Sequence, residues 1–512
     1  MNRQMIKNKF NKAARLILIL MVCPIGKVIA QIPTKNNSAP PDEIRKDLEI
    51  VEANPDSLKA HKTYIYAMGL NNPLLALQYK KWMEKYPKKE IIPLAIGTAY
   101  YNAEMPQAKE YLLKAAAIEP KNAKTWSMLS IDAYRWGQKD LGAEYIRKAT
   151  LADSLNADYA YGYLMSFALS DSIQYKLKVF NFTKRFPTSE YGAQALYWLG
   201  TNATNLADKI NYFEYLRQIY PPQKFNWSSA AMIGLADAYM QTDPGKALAL
   251  INQMGDGNNW TMRKLLAESL IRIDKLEQHE NYKDASNELN RVKLPAFNYF
   301  NDFISLKKAA LQEKAGNLKG AYDSLAIKFA YLPTDQLGAA LELYGRKIGK
   351  EKGQVAIDIE TIRYNGAIAA FPFQLGLYTG DRKLNLKDLK GKVVLLTFWF
   401  PGCGPCRNEF PYFQAVIDKF NSKEVAYIGV NVYPEQDPYV IPFMENTKYS
   451  FIPLRGSQEF AAKYYGVDGE PENFVIDKEG KIIFKDFSVN NANQRSLELM
   501  ISSLLQKGRQ NN

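Results

Sequence analysis

Between residue 42 and about residue 353, apolar residues recur three and four positions apart, and strand-like alternation is scarce. That periodicity predicts amphipathic helices throughout the segment. Prolines punctuate it at regular intervals: Pro55 to Pro87 is 32 residues, Pro87 to Pro120 is 33, Pro187 to Pro221 is 34, and Pro120 to Pro187 is 67, or two such steps. Proline ends one helix and suits the first turn of the next. A period near 34 therefore predicts a stacked array of helix pairs.

After residue 353 the pattern changes. Val355 to Ile362 alternates in strand fashion and Asn365-Gly366 reads as a turn, so 353–370 is expected to be a linker. Phe373 to Leu377 and Lys383 to Leu386 flank Thr379-Gly380-Asp381, a hairpin signal. Val393 to Phe400 is an unbroken apolar run, as expected of a central strand covered on both faces. A helix should start near Cys406. Val425 to Val432 reads as a second buried strand, with helices at Pro438–Asn446 and Ser457–Tyr465. Asn473 to Asp477 and Lys481 to Phe487 should pair about the turn Asp477-Lys478-Glu479-Gly480. A last helix carries Leu497, Met500, Ile501, Leu504 and Leu505 on one stripe. The expected fold is thus multidomain: an all-α repeat array over 42–352, then an α/β domain over 371–508.

Composition agrees with folded domains. Of 512 residues, 47% are hydrophobic and 23% charged, and a chain this long exceeds one core. The formal charge of +13 is concentrated at the start. Residues 1–30 hold Arg3, Lys7, Lys9, Lys12, Arg15 and Lys27 and no acid; the other 60 basic and 53 acidic residues leave only +7. No basic run follows residue 30, which argues against nucleic acid as a partner. A basic segment to Arg15, the apolar stretch Leu16 to Val22 and Val28-Ile29-Ala30 before Gln31 read as a signal peptide, with 31–41 a polar leader. The protein is therefore expected to be exported, to the periplasm or cell envelope of a bacterium. An uncleaved signal would be its one membrane attachment. Cys23 raises lipidation as another outcome, although Val22 is larger than the residue that usually precedes a lipidated cysteine.

Beyond Cys23, the only cysteines are Cys403 and Cys406. Zinc usually requires four ligands, and His61 and His279 lie far away in sequence, so no metal is expected. A structural disulfide closing so short a loop would stabilise little. The CxxC spacing suggests a redox couple. An offset of three residues sets the backbones about 5–6 Å apart, as a disulfide requires. Cys403 would lie at a helix N-terminus, where free amides and the helix dipole favour a thiolate. Pro405 suits the first turn. Pro411 lies inside the helix. Glu409, one turn beyond Cys406, could take the proton from that thiol.

The segment Phe398-Trp399-Phe400-Pro401-Gly402-Cys403-Gly404-Pro405-Cys406, with Glu409 and Pro411, resembles the TlpA/ResA-like branch of thioredoxin-fold proteins, which are exported disulfide reductases. Leu389-Lys390-Gly391-Lys392, Gly466 to Pro471 and Phe474 to Asp477 extend the likeness over about 130 residues. The resemblance implies that Cys403 is the nucleophile, Cys406 the resolving cysteine, Glu409 an active-site acid and Pro471 a cis-proline facing the disulfide. Trp399, Gly404, Pro405 and Glu470 would shape the site. It implies no cofactor beyond the Cys403–Cys406 disulfide. Its partners would be protein disulfide substrates and an upstream electron-donor protein.

Two positions depart from the family. Gly402 stands where tryptophan is usual, which predicts a roomier site. Glu470 stands where a neutral residue is usual. Its carboxylate would disfavour the Cys403 thiolate and make the couple more reducing. The array resembles tetratricopeptide repeats, best in the unit from Asn122 with Trp126, Leu129, Ala133, Gly137, Gly142, Ile146 and Ala149; Gly316 to Ala321 looks like another inter-helix turn. Such arrays offer a concave face for peptide or protein docking. Tyr64, Tyr66, Tyr79, Tyr100, Tyr101, Tyr111 and Tyr134 would either line that face or fill the packing between helices. Two other functions fit parts of the pattern. One is a peroxiredoxin-like peroxidase using Thr397 and Arg407. The other is an envelope scaffold or protein-binding module with a vestigial redox role.

Overall fold

Short polar side chains divide the first 350 residues into helices. Ser57, Asn72, Asn122, Asn156, Asp171, Ser189, Asn205 and Asp243 each cap a helix by accepting a backbone N–H of its first turn. The computed structural model describes residues 39–506, apart from 169, 256, 296, 297 and 301. The expected signal segment 1–30 with Cys23, the leader up to residue 38, and residues 507 and 508 lie outside them. No helix among the described residues is long and apolar enough to cross a membrane.

The helices pair as the proline period predicts. Ala123–Arg135 and Lys139–Ala152 form one hairpin, turned at Gly137 with φ +72°. Gly142 lies against the Tyr134 ring, where a Cβ would come within 2.9 Å. Phe303–Lys314 and Leu318–Tyr331 form another, turned at Gly316 with φ +80°. Deeper in the array, the Phe213 ring fills the space between Gly200 and Gly234, 2.5 Å from where either Cβ would stand. Arg263 and Asp237 meet there in a bidentate pair at 2.8 and 2.9 Å, both fully buried, and the Tyr299 amide also donates to Asp237. Of the seven tyrosines, Tyr64, Tyr79, Tyr100 and Tyr111 are buried in the array's cores and Tyr66 is exposed.

The expected linker 353–370 is corrected by the structure. Lys352–Asn365 is a helix that covers the last array pair. Val355, Ile359 and Arg363 are buried at four-residue intervals, while Ile357, which completed the apparent alternation, is 58% exposed. The helical period is the one that buries surface here.

The C-terminal domain is built on a six-stranded mixed sheet in the order β1-β8-β7-β4-β5-β6. The strands are β1 (Ile368–Ala369), β4 (Val393–Trp399), β5 (Val425–Asn431), β6 (Ile452–Arg455), β7 (Glu472–Ile476) and β8 (Lys481–Lys485); β2 (Gln374–Gly376) and β3 (Lys383–Asn385) form a separate hairpin. β4, β5 and β6 run parallel, and β7 returns antiparallel to β4. Every residue of β4 is buried. Val393, Leu395 and Trp399 face one core with helices α1 (Gly404–Ile417), α2 (Asp437–Thr447) and α4 (Gln494–Gln506). Val394, Leu396 and Phe398 face the other core, whose wall includes Ala461 of helix α3 (Gln458–Tyr465). The Leu497, Met500, Ile501, Leu504, Leu505 stripe of α4 is buried as its spacing predicts. β6 was not expected; it is an edge strand of four residues in which only Leu454 is buried.

Candidate active site

The buried strand β4 delivers the chain to a tight turn, Phe400 to Gly402, closed by the Cys403 amide donating to the Phe400 carbonyl at 2.9 Å. Cys403 is the N-cap of α1, so the helix begins slightly earlier than expected. Cys403 and Cys406 form a disulfide with Cα atoms 5.3 Å apart. Cys403 Sγ also accepts the Cys406 backbone N–H at 3.1 Å. The same free amide that solvates a disulfide sulfur at a helix start stabilises a thiolate there once the bond opens. Pro405 occupies the first turn of α1. Trp399 is fully buried against the rings of Phe410, Phe443 and Phe451, which anchors the strand end.

Glu409, one turn beyond Cys406 on the same helix, is buried. Its carboxyl accepts from Asn473 Nδ2 at 2.9 Å and from the Val489 amide at 3.0 Å. Burial outweighs both bonds and, with the nearby charge of Glu472, pushes its pKa up to about 8. A carboxyl titrating near neutrality can both take and return a proton. Asn473 and Val489 escaped the sequence reading. A hint existed in Asn473, a polar residue inside a strand whose every position is buried.

The Glu470–Pro471 peptide bond is cis and leads directly into β7. Burial raises the Glu470 carboxyl above the ordinary range. Burial, aided by the charge of Glu470 and that of Glu104 from the helical array, raises the nearby Tyr433 phenol above its ordinary range. Thr397 is buried in β4, opposite Asn473 of β7. Arg407 donates to the Pro401 carbonyl at 3.2 Å and lies 5.4 Å over the ring of Tyr134 in the array.

Gly402 does not leave the roomier site expected from it. The space is filled by Gln436, whose side chain would stand 2.9 Å from a Cβ at that position. Gln436 Oε1 accepts the Gly402 N–H at 2.6 Å and its Nε2 donates to Glu104 at 2.5 Å. The array therefore reaches the residue next to Cys403. The contact continues along α2 and just past its end: Asn446 donates to the Trp136 carbonyl at 2.9 Å, and Lys139 to the Tyr449 hydroxyl at 3.0 Å. Gly137, at the array turn, lies against Phe443 and Thr447.

Residues 368–501 match the family model described as Redoxin. The thiol-disulfide oxidoreductase ResA of Bacillus subtilis is 35% identical over 105 residues, covering 20% of this chain and 58% of that protein. Its namesake from Bacillus thuringiensis is 36% identical over 102 residues, with the same coverage. The chain thus spans a little over half the length of the curated relatives it matches. A crystal structure of the thioredoxin domain of a thiol-disulfide oxidoreductase from Bacteroides vulgatus is 25% identical, covering 26% of this chain and 96% of that one, with a TM-score of 0.24. Residues 368–501 thus match the Redoxin family, are similar in sequence to the ResA thiol-disulfide oxidoreductases, and follow an array of paired helices.

Proposed function

We propose that the chain is an exported thiol–disulfide oxidoreductase that reduces disulfides of bacterial envelope proteins. In the reduced protein, the Cys403 thiolate attacks one sulfur of a substrate disulfide. A mixed disulfide forms and the other substrate sulfur leaves as a thiolate, which takes a proton. Cys406 then gives its proton to Glu409 and attacks Cys403 Sγ. The mixed disulfide breaks, the second substrate thiol is released, and the Cys403–Cys406 bond closes. A dithiol on an electron-donor protein returns the pair to its reduced form. Pro471 would face the substrate chain, and the Glu470 carboxylate, by disfavouring the Cys403 thiolate, would make the couple more reducing.

One observation carries the reading. The chain's two cysteines beyond the N-terminal segment form a disulfide at the start of α1, with a Cys403 sulfur bonded to a helix amide and a carboxyl of neutral-range pKa one turn away. Docking of partners on the array belongs to the same proposal. A trapping experiment tests it: Cys406→Ala, expressed with its own leader, should accumulate covalent adducts that a reductant dissolves. Their absence, with the variant folded, would overturn the reading.

A further inference from the structure

We propose that the helical array is a positioning element of the redox site, acting through Glu104 and Gln436 on the backbone amide of Gly402. In its kinetic consequences this rests on the function proposed above; in its structural content it does not.

The path is short and every step is a hydrogen bond. Arg135 Nη2 donates to Glu104 Oε1 at 2.9 Å, and Arg135 Nη1 donates to the Tyr101 carbonyl at 3.2 Å. Glu104 Oε2 accepts from Gln436 Nε2, and Gln436 Oε1 accepts from Gly402 N. Gly402 adjoins the nucleophile. The Arg135 guanidinium pairs with Glu104 and fixes its carboxylate for the bond to Gln436.

Three features mark the path as more than incidental contact. Gln436 is fully buried in the folded chain, and the acceptor for its amide nitrogen comes from the array, so losing Glu104 would leave a buried amide donor to find another acceptor or stay unsatisfied. Glu104 has φ +55°, a left-handed conformation that costs a non-glycine residue energy, and it is held there at the junction. Gly402 is the residue type that leaves room for the Gln436 side chain. Arg407 makes a parallel connection, bonding Pro401 of the same turn while lying over Tyr134. Side chains that fix the orientation of reacting groups from behind commonly set their reactivity.

The test uses the full chain, as wild type, Glu104→Ala, Gln436→Ala and the double variant. Gly234→Ala serves as a control, straining the array in a different core. Two quantities are read: amide hydrogen exchange of the segment 402–406, and the dithiol–disulfide equilibrium of Cys403–Cys406 against a glutathione buffer. Each alanine variant should speed exchange in that segment. Each should also shift the equilibrium toward the dithiol by roughly two- to tenfold, the worth of one net hydrogen bond formed with the disulfide closed. The double variant should be no worse than either single one, because both cut the same path. Gly234→Ala should change neither quantity. If Glu104→Ala matches wild type, or the two single effects add as independent sites, the proposal is overturned. A wild-type chain that never equilibrates with glutathione would sink the proposed function, while the exchange rates would still decide the positioning claim.

Discussion

Tyr439 of the Redoxin domain donates its hydroxyl to Asp132 of the helical array at 2.8 Å, and both side chains are buried. Burial raises the Asp132 carboxyl, against the pull of Tyr439, Arg135 and Trp136. The indole of Trp136 donates to the other carboxylate oxygen and packs edge-on against the Tyr439 ring at 5.5 Å. The two parts of the chain therefore meet through a satisfied buried polar contact. Tyr439→Phe removes one donor from a buried carboxylate and should destabilise the folded chain by about 1–3 kcal/mol. Denaturant titration followed by tryptophan fluorescence checks this; an unchanged midpoint would mean that the junction contributes nothing.

Glu409 predicts a pH dependence. Its pKa in the folded protein, about 8, lies above the ordinary 4.5. Between those values the folded state holds more protons than the unfolded one, so stability falls as pH rises through this window. Glu409→Gln should flatten that fall. It should also slow release of mixed disulfides, with the largest loss above pH 8, where the wild-type carboxylate is ready to take the Cys406 proton. Parallel unfolding curves for variant and wild type at pH 5 and pH 9 would contradict the first part.

The buried pair of Arg263 and Asp237 should tolerate no one-sided change. Asp237→Ala removes the carboxylate that pairs with the fully buried Arg263 guanidinium and accepts the Tyr299 amide. A loss of about 3–5 kcal/mol is expected from breaking one side of such a pair. Calorimetric unfolding measures it, and a loss under 1 kcal/mol would be inconsistent with the burial described.

Gly234→Ala places a methyl group 2.5 Å from the Phe213 ring. Phe213 is also closed in by Gly200, so it has little room to move. Overpacking of about 1–3 kcal/mol should follow, read as a lowered midpoint with unchanged far-ultraviolet dichroism. The same substitution at Gly316, where a Cβ meets nothing but φ is +80°, should cost only backbone strain.

Much of the active-site frame was legible from local pattern. A strand buried on both faces reads as an unbroken apolar run, and β4 is one. The Cys403–Cys406 spacing and Glu409 lie on one helix, so their relation is a matter of helical period. The helix Lys352–Asn365 was misread because Val355, Ile357 and Ile359 satisfy a two-residue period before Arg363 reveals the four-residue one. β6 carries Pro453 and one buried residue, too little signal for a strand. Glu104 and Gln436 were beyond reach for a different reason: they stand 332 residues apart and meet only through tertiary docking. Gly402 was noticed as a departure, yet its meaning depended on a glutamine from another element.

The central claim is that Cys403 and Cys406 exchange electrons with foreign disulfides. Turnover of insulin disulfides with dithiothreitol as donor tests it most directly, comparing wild type with Cys403→Ser. Wild type should accelerate reduction and the variant should match the uncatalysed rate. Equal rates for the two proteins would contradict the account.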